Sequence, residues 1–228
     1  NFLHLNKSKT IIMITDFSQS NSIINQFVAE LRNVEIQTDR LRFRRNLERI
    51  GELMAYEISK ELDYELYEVE TPLGMASVDL PSEMPILGTI MRAGLPMHQG
   101  FLNIFDNSEN AFVSAYRKHH KDGTFEINVE YVSCPSLENR VLIIVDPMLA
   151  TGASMVATIE HLQEFGIPKQ IHIAAAIAAT DGVNYVRRLL PEAKIWAGAI
   201  DEELTAKSYI VPGLGDAGDL AFGEKLND

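Results

Sequence analysis

The chain has 228 residues, 46% of them hydrophobic and 23% charged, which is the composition of one large folded domain with a substantial core. Its formal net charge of −12 argues against a broad nucleic-acid-binding surface, and no apolar run is long enough to cross a bilayer, so we expect neither a nucleic-acid nor a membrane partner. Cys134 is the single cysteine, which excludes an internal disulfide and indicates a passive thiol in a reducing, cytoplasmic location.

The first part of the chain predicts a helix followed by a β-hairpin. The basic run RLRFRR (residues 40–45) opens a helical pattern, because apolar residues recur every three or four positions from Leu47 to Leu62. We interpret the basic run as a solvated helix face, with a subunit or anion contact as the alternative. The stretches YELYEVE and MASVD (residues 64–70 and 75–79) are then predicted to be two strands that turn through Pro72.

From residue 85 onward, short apolar strands alternate with helices. Strands are predicted at residues 86–90, 111–116, 141–145, 171–176 and 195–199, and helices at residues 95–105, 153–165 and 182–190. This alternation predicts a parallel sheet with helices on both faces. Residues 117–132 interrupt it with two β-prone arms around a Lys-Asp-Gly turn, so we expect a projecting, mobile hairpin that acts as a lid.

The stretch VLIIVDPMLATGAS (residues 141–154) joins a buried strand to a helix. Its five aliphatic residues indicate a strand buried on both faces, whose carboxyl end delivers the next loop to the ligand crevice of a parallel sheet. Asp146 stands at that edge. The small residues Thr151, Gly152, Ala153 and Ser154 would let backbone N–H groups approach a phosphate at the helix N-terminus. The alternative is a tight strand-to-helix turn with a Ser/Thr N-cap.

Two other nucleotide-binding patterns fail. The loop contains no lysine, so it is not a P-loop. The stretch GLGDAG (residues 213–218) matches G-x-G-x-x-G, but too little sequence follows it for the helix, second strand and ribose-binding acid of a dinucleotide-binding unit.

Three stretches together resemble the uracil phosphoribosyltransferase family of type I phosphoribosyltransferases. The stretch DPMLATG (residues 146–152) is similar to its phosphoribosyl diphosphate loop, although most type I members carry two adjacent acids there. The stretch IMRAGLPMHQG (residues 90–100) resembles its diphosphate loop, and YIVPGLGDAGD (residues 209–219) its uracil-binding segment. Because RFRRNLERIGELMAYE (residues 42–57) resembles its N-terminal helix, the similarity runs from about residue 42 to residue 223.

The resemblance implies an α/β protein with the parallel-sheet type I phosphoribosyltransferase fold and a single domain over residues 1–228. Residues 1–80 would form an N-terminal helical arm and hairpin, residues 81–200 the α/β core with its hairpin lid, and residues 201–228 a C-terminal hood that binds the base. The implied reaction transfers the 5-phosphoribosyl group from phosphoribosyl diphosphate to N1 of uracil, giving UMP and diphosphate in pyrimidine salvage. The family also implies Mg²⁺ as cofactor, a homodimer or higher homo-oligomer, and allosteric control by GTP.

The resemblance further assigns roles to individual residues. The implied catalytic residues are Arg92, Asp146 and Asp216, and Asp216 would meet Mg²⁺ through the substrate, without a dedicated protein cage for the metal. Uracil contacts are implied for Ile210, Gly215, Asp216 and Ala217. The implied phosphoribosyl diphosphate site comprises Arg92, Arg117, Asp146, Pro147, Met148, Leu149, Ala150, Thr151, Gly152, Ala153, Ser154 and Asp216. No residue declares itself as a general base, and we interpret His98 as a helix-surface histidine.

Four positions depart from the family pattern. Ala153 replaces a glycine, Pro96 and Gln99 are unusual in the diphosphate loop, and Leu220 replaces a basic residue. Alanine fits at position 153 if the backbone there is helical, and it would be strained in a left-handed conformation. Two alternatives stay open: a non-catalytic, UMP-sensing and RNA-binding regulator on the same fold, and an enzyme for a purine or another pyrimidine.

Overall fold

A computed structural model describes residues 13–119 and 125–225, and it does not describe the side chains of residues 115–129. The helices are α1 (Ile23–Arg32), α2 (Arg40–Ser59), α3 (Leu95–Ile104), α4 (Ala153–Leu162), α5 (Thr180–Leu189) and α6 (Ala217–Phe222). The strands are β1 (Ile14–Asp16), β2 (Tyr64–Thr71), β3 (Gly74–Pro81), β4 (Ile86–Met91), β5 (Asn110–His119), β6 (Phe125–Ser133), β7 (Val141–Val145), β8 (Met148–Leu149), β9 (Gln170–Ala179), β10 (Lys194–Asp201), β11 (Glu203–Leu204) and β12 (Ile210–Val211). Among the described residues, no helix combines the length and apolar character that crossing a membrane requires.

The central sheet is mostly parallel, as the alternating pattern predicts. Its strands lie in the order β1-β10-β9-β7-β4-β5-β6, with the short β8 paired to β9. Among the described strands of this sheet, only the β5–β6 pair is antiparallel. The α/β class and the parallel sheet of the predicted fold are therefore confirmed.

Strand β7 shows why an unbroken aliphatic run was needed. Ile143 and Val145 are buried in a core that also contains residues of α1, α2 and α3. Leu142 and Ile144 are buried in a second core on the opposite face, which contains residues of α4 and α5. Because helices cover both faces of the sheet, neither set of alternating side chains on β7 meets solvent.

The β2–β3 hairpin is also confirmed, and its strands pair from Tyr64 with Pro81 to Thr71 with Gly74. Every residue of β2 is exposed, so this hairpin projects from the domain. The second predicted hairpin is formed by β5 and β6, which pair from Phe112 with Ser133 to His119 with Phe125. Its Lys-Asp-Gly turn lies outside the described residues, and its action as a lid stays a prediction.

The basic run of α2 is partly an internal contact surface, which the solvated-face interpretation did not include. Arg42 donates two hydrogen bonds of 2.9 Å to Glu30 of α1. Arg44 donates one of 2.7 Å to the carbonyl of Ala221 in α6. These contacts attach α2 to helices on either side of it in sequence, and the second one fixes the C-terminal segment against the domain.

Candidate active site

Two of the predicted site residues stand at the same edge of the sheet. Arg92 follows β4 and Asp146 follows β7, and these neighbouring parallel strands pair Thr89 with Val145 at their carboxyl ends. The Thr89 hydroxyl donates a hydrogen bond of 3.3 Å to the Val145 carbonyl, which links the two strand ends. In open α/β sheets, ligands bind in the crevice outside the carboxyl ends of the strands, so this edge is the candidate active site.

Asp146 has an unusual electrostatic environment. Its backbone N–H donates to the Ala174 carbonyl over 3.1 Å, which continues the pairing of β7 with β9 by one residue. Its carboxylate accepts a hydrogen bond of 3.4 Å from the Met148 N–H. Asp146 as a whole residue is partly exposed, but its carboxyl is surrounded by protein atoms. This burial raises the pKa of the carboxyl to about 7, and the hydrogen bond from Met148 opposes the shift only in part. The carboxyl therefore changes charge near neutral pH.

The loop after Asp146 turns sharply into helix α4. Gly152 has φ +78°, and a Cβ at this position would lie 2.8 Å from the Gly182 carbonyl oxygen, so only glycine is accommodated here. The Thr151 hydroxyl accepts a hydrogen bond of 3.4 Å from the Ala153 N–H. Within this loop Met148 and Leu149 form β8, which pairs with Ile177 and Ala178 of β9.

The four departures from the family pattern have simple structural settings. Ala153 is the first residue of α4 and does not have the positive φ that would strain an alanine. Pro96 lies in the first turn of α3, where the missing N–H removes no helical hydrogen bond. The side chain of Gln99 donates to Asn103 over 2.9 Å, and Leu220 packs partly buried against the core. None of them disturbs the sheet edge.

The C-terminal segment folds back onto Arg92. Gly215 has φ +97°, and Asp216 caps α6 by accepting a hydrogen bond of 2.9 Å from the Asp219 N–H. The Arg92 guanidinium donates to the Asp219 carboxylate over 3.1 Å and to the Gly223 carbonyl over 3.2 Å. The structure thus brings together the sequence stretches that resemble the diphosphate loop and the uracil-binding segment.

Three further predicted contact residues are Ile210, Ala217 and Arg117. Ile210 and Ala217 are buried, so neither presents an accessible surface here, and their uracil contacts stay a prediction. Arg117 lies on β5, which borders β4, and its backbone pairs with Ile127. The Arg117 side chain lies outside the description, so its diphosphate contact stays a prediction.

His98 was interpreted as a helix-surface histidine, and this interpretation is wrong. The residue is 3% exposed, and its ring meets Phe112 of β5 edge-on with 5.3 Å between the ring centroids. Burial lowers the pKa of the His98 imidazole, although bonds with Leu87 and Asn110 oppose the shift. The helix carries this side chain against the sheet, because α3 packs between α2 and the sheet.

Asp219 and Asp201 were not identified as site residues from the sequence. Asp219 belongs to the quoted stretch YIVPGLGDAGD, so its contact with Arg92 has a local sequence signal. Asp201 is the last residue of strand β10. It lies at the same edge of the sheet as Asp146, which follows the aliphatic run of β7. An acid directly after a buried parallel strand is the signal that could have found it.

Comparison with known proteins decides the family. A profile described as Uracil phosphoribosyltransferase matches residues 18–224. The chain belongs to the uracil phosphoribosyltransferase family. A protein named uracil phosphoribosyltransferase in Porphyromonas gingivalis is 56% identical over 207 residues, which cover 90% of this chain and 96% of that protein. A protein of the same name in Thermococcus gammatolerans is 36% identical over 211 residues, which cover 91% of this chain and 92% of that protein.

A solved structure supports the same assignment of the fold. The AQ2163 protein from Aquifex aeolicus matches with a TM-score of 0.83 at 29% identity, covering 94% of this chain and 100% of that one. The profile and the named relatives confirm the resemblance of the three sequence stretches to the uracil phosphoribosyltransferase family. Among the described residues of this family member, no group of three His, Cys, Asp or Glu side chains could hold a metal ion by itself.

Proposed function

We propose that this enzyme transfers the 5-phosphoribosyl group from phosphoribosyl diphosphate to N1 of uracil, giving UMP and diphosphate. The observation that carries the proposal is the family match over residues 18–224, which contains all three sequence stretches. The two relatives described above bear the enzyme's name, and neither supports a non-catalytic, RNA-binding regulator.

The sugar phosphate is proposed to lie against the loop that follows β7. Asp146 would accept hydrogen bonds from the ribose hydroxyls, and Thr151 to Ser154 would hold the 5′-phosphate. Helix α4 begins at Ala153, so its first N–H groups lack intrahelical acceptors and its dipole favours an anion there. The remaining residues between Asp146 and Thr151 would form the wall of this site.

The diphosphate is proposed to meet Arg92, with Arg117 as a second cation. A guanidinium offers a planar pair of donors that matches phosphate oxygens, and the protein needs such local positive groups because its net charge is −12. Arg92 already contacts two oxygen acceptors of the C-terminal segment, so its donors are directed toward that segment.

Uracil is proposed to bind main-chain groups of the segment from Ile210 to Ala217. A flat base with adjacent N–H and C=O groups suits recognition by peptide groups, and the positive φ of Gly215 lets the backbone approach closely. Asp216 is proposed to face the phosphoribosyl group, because Asp216 Oδ1 and Arg92 Nη2 lie near the same point, 3.2 and 3.8 Å from a Cβ built on Gly218.

The reaction replaces one bond at C1 of the ribose with another. The bond from C1 to the diphosphate oxygen breaks with its electron pair, N1 of uracil forms the new bond, and the N1 proton is released. Positive charge develops on the sugar and negative charge on the leaving diphosphate. The enzyme therefore acts mainly by positioning the two substrates and by neutralising the leaving group with Arg92 and Arg117.

The residues present fit Mg²⁺ as the cofactor. Asp146 and Asp216 supply the hard oxygen atoms that this ion prefers, and a cation near Asp146 would stabilise the charged form of a carboxyl whose pKa burial raises. When bound, the ion would neutralise negative charge on the diphosphate oxygens and so make diphosphate a better leaving group. Because the described residues include no group of three such ligands, substrate oxygens and water would supply most of the ligands of the ion.

We also propose a homo-oligomer, which the β2–β3 hairpin supports. The hairpin exposes Leu66, Leu73 and Met75, with Leu73 100% exposed, and a two-stranded hairpin is only marginally stable alone. A second copy of the chain is the proposed partner of these side chains. Light scattering should give a mass above that of one chain, and Leu66→Glu should lower it.

A cytoplasmic location and a response to GTP stay proposals. The single free cysteine supports the first, and cell fractionation would test it. Initial rates with and without GTP would test the second.

The substrate assignment is tested by a panel of bases. Release of diphosphate from phosphoribosyl diphosphate should be fastest with uracil and at least a hundredfold slower with cytosine, hypoxanthine, guanine and orotate, because unmatched polar groups in a recognition site are costly. Faster release with a purine would overturn the assignment. Salt-sensitive RNA binding without diphosphate release would support the regulator instead.

A further inference from the structure

Arg32 and Asp201 form an ion pair across the fold, although 169 positions separate them in sequence. Arg32 ends helix α1, and Asp201 ends strand β10 at the ligand edge of the sheet. The pair is bidentate, with Nη1–Oδ2 and Nη2–Oδ1 distances of 2.8 Å. Asp201 is 8% exposed, so this is a partly buried, charge-assisted contact rather than a solvated surface pair.

The same two side chains also hold Gly213 in the proposed uracil segment. Arg32 Nη1 donates to the Gly213 carbonyl over 3.1 Å, and the Gly213 N–H donates to Asp201 Oδ2 over 2.9 Å. Both backbone polar groups of one loop residue are therefore satisfied by one ion pair. Gly213 has φ +56°, and a Cβ there would lie 2.0 Å from the Ile210 carbonyl oxygen, so the loop turns tightly at this residue.

Further contacts hold the ion pair itself in place. The side-chain amide of Gln37 donates to the carbonyls of Leu31 and Arg32 over 3.2 and 3.0 Å, which fixes the end of α1. The Thr180 hydroxyl donates to the Asp201 carbonyl over 3.2 Å. The sheet and two helices thus determine where the guanidinium and carboxylate lie.

We propose that Arg32 and Asp201 are positioning residues for base recognition, which act on uracil through the backbone of Gly213. This inference rests on the proposed placement of uracil against residues 210–217. Because the ion pair uses both polar groups of Gly213, the base is recognised by other peptide groups of residues 210–217, and the pair sets the angle at which those groups are presented. Neither side chain needs to touch the substrate.

Arg32→Lys tests the proposal with the positive charge retained. A lysine ammonium lacks the planar fork of a guanidinium, so it cannot make the bidentate contact with Asp201 and also reach the Gly213 carbonyl. The KM for uracil should rise on the order of ten- to a hundredfold, the range that charge-assisted hydrogen bonds support. The Kd of phosphoribosyl diphosphate, measured by calorimetry, should change less than about twofold, since Arg92 and Asp146 keep their places.

The matched control is Arg140→Lys. Arg140 has the same 23% exposure as Arg32 and contacts Glu109 over 2.9 Å, but it precedes β7 and so lies at the opposite edge of the sheet. Loss of this contact should lower the melting temperature without changing the KM for uracil. A merely structural role for Arg32 would make the two variants behave alike.

Asp201→Asn supplies a second, independent variant. Its amide keeps the size of the side chain and one acceptor, but its NH₂ group opposes a donor of Arg32 or Gly213. If the two residues act as one unit, the double variant should raise the KM for uracil no more than about twofold beyond the larger single effect. Should either variant fail to fold, Thr180→Val removes only the hydroxyl contact to Asp201 and should still raise the KM for uracil several-fold.

The possible outcomes separate this inference from the proposed function. If the unaltered enzyme forms UMP and folded Arg32→Lys and Asp201→Asn keep its KM for uracil, the positioning role is wrong and the function stands. Equal losses in uracil and phosphoribosyl diphosphate binding would likewise overturn the role. If the unaltered enzyme does not use uracil, the proposed function fails first.

Discussion

The Arg92 guanidinium donates a hydrogen bond to the Asp219 carboxylate over 3.1 Å, and the two residues are 127 positions apart in sequence. This contact joins the stretch proposed to bind diphosphate to the stretch proposed to bind uracil. An anionic substrate oxygen must therefore share Arg92 with a protein carboxylate. The strength of that competition can be measured.

Asp219→Asn should strengthen diphosphate binding. The substitution removes a negative charge beside Arg92 and keeps an acceptor of the same shape, and partly exposed ion pairs of this kind are worth roughly 0.2–1 kcal/mol. We expect a gain in affinity of about two- to fivefold by calorimetry with inorganic diphosphate. Glu57→Gln is the control, because it removes the same charge from a similarly exposed pair with Lys60 on α2. Weaker or equal binding in Asp219→Asn would contradict this competition.

Asp146 should make phosphoribosyl diphosphate binding depend on pH. Its pKa is raised to about 7 by burial, so the carboxyl is largely neutral below that pH and charged above it. Since the charged form is the better acceptor for ribose hydroxyls, affinity should rise as the pH increases across roughly 6 to 8. Calorimetry at several pH values measures this slope.

Asp146→Asn is the comparison that isolates the carboxyl. The variant should bind phosphoribosyl diphosphate on the order of ten- to a hundredfold more weakly above pH 8, and with a smaller dependence on pH. Ionisation of the substrate phosphates affects both proteins equally and cancels in the ratio of their affinities. A ratio that stays constant across the pH range would rule out Asp146 as the titrating group.

Ala217→Pro should weaken uracil use and leave phosphoribosyl diphosphate binding intact. Residue 217 is the first residue of α6 and follows Asp216 in an extended conformation, which are the positions where proline and its preceding residue fit. The substitution therefore removes one N–H from the proposed uracil site with little cost to the helix. We expect at least a tenfold rise in the KM for uracil. An unchanged KM in a folded variant would show that the base does not use this N–H.

His172 should contribute a loss of stability in mild acid. The imidazole is buried, and its Nδ1 accepts a hydrogen bond of 3.0 Å from the Trp196 indole. Burial lowers the pKa of His172 to about 4; the positive charge of Lys194 adds to this shift and the negative charge of Glu61 opposes it. The imidazole binds a proton near pH 6.5 in the unfolded chain and does not in the folded chain, so the contribution of His172 to stability falls as the pH drops from 6.5 toward 4.

The His172 contribution to this loss between pH 7.5 and pH 5 should be about 2 kcal/mol. It is obtained as the difference between the unaltered protein and His172→Asn in urea unfolding, because the raised pKa of Asp146 acts in the opposite direction in both proteins. His172→Asn keeps an acceptor for Trp196 and should remove this contribution to the pH slope, whereas His161→Gln, at a side chain that is 38% exposed, should not. The account of His172 fails if its substitution leaves the slope unchanged.

Local patterns predicted the elements whose side chains are buried on a regular period. Strand β7 has the predicted bounds, and its five consecutive aliphatic residues are typical of a strand covered on both faces. Helix α4 begins at the predicted Ala153, after the small residues that form the turn. The β2–β3 turn follows from Pro72 and the flanking β-prone residues.

Contacts between distant parts of the chain could not be read from the sequence in the same way. Helix α1 was not predicted, so the position of Arg32 beside Asp201 had no local signal. His98 was placed on a surface because a single helix gives no indication that elements pack on both of its sides. The site roles of Arg92, Asp146 and Asp216 came from family resemblance, and their spatial grouping depends on the sheet order.

The central claim is that the proton on N1 of uracil is replaced by the phosphoribosyl group, and product analysis tests it most directly. Uracil labelled with ¹⁵N at N1 should be incubated with phosphoribosyl diphosphate and Mg²⁺, and the products followed by NMR and by a diphosphate assay. We predict UMP with a bond between the labelled nitrogen and ribose C1, formed in equal amount with diphosphate. Diphosphate release without that bond, or no conversion by folded enzyme, would contradict the account.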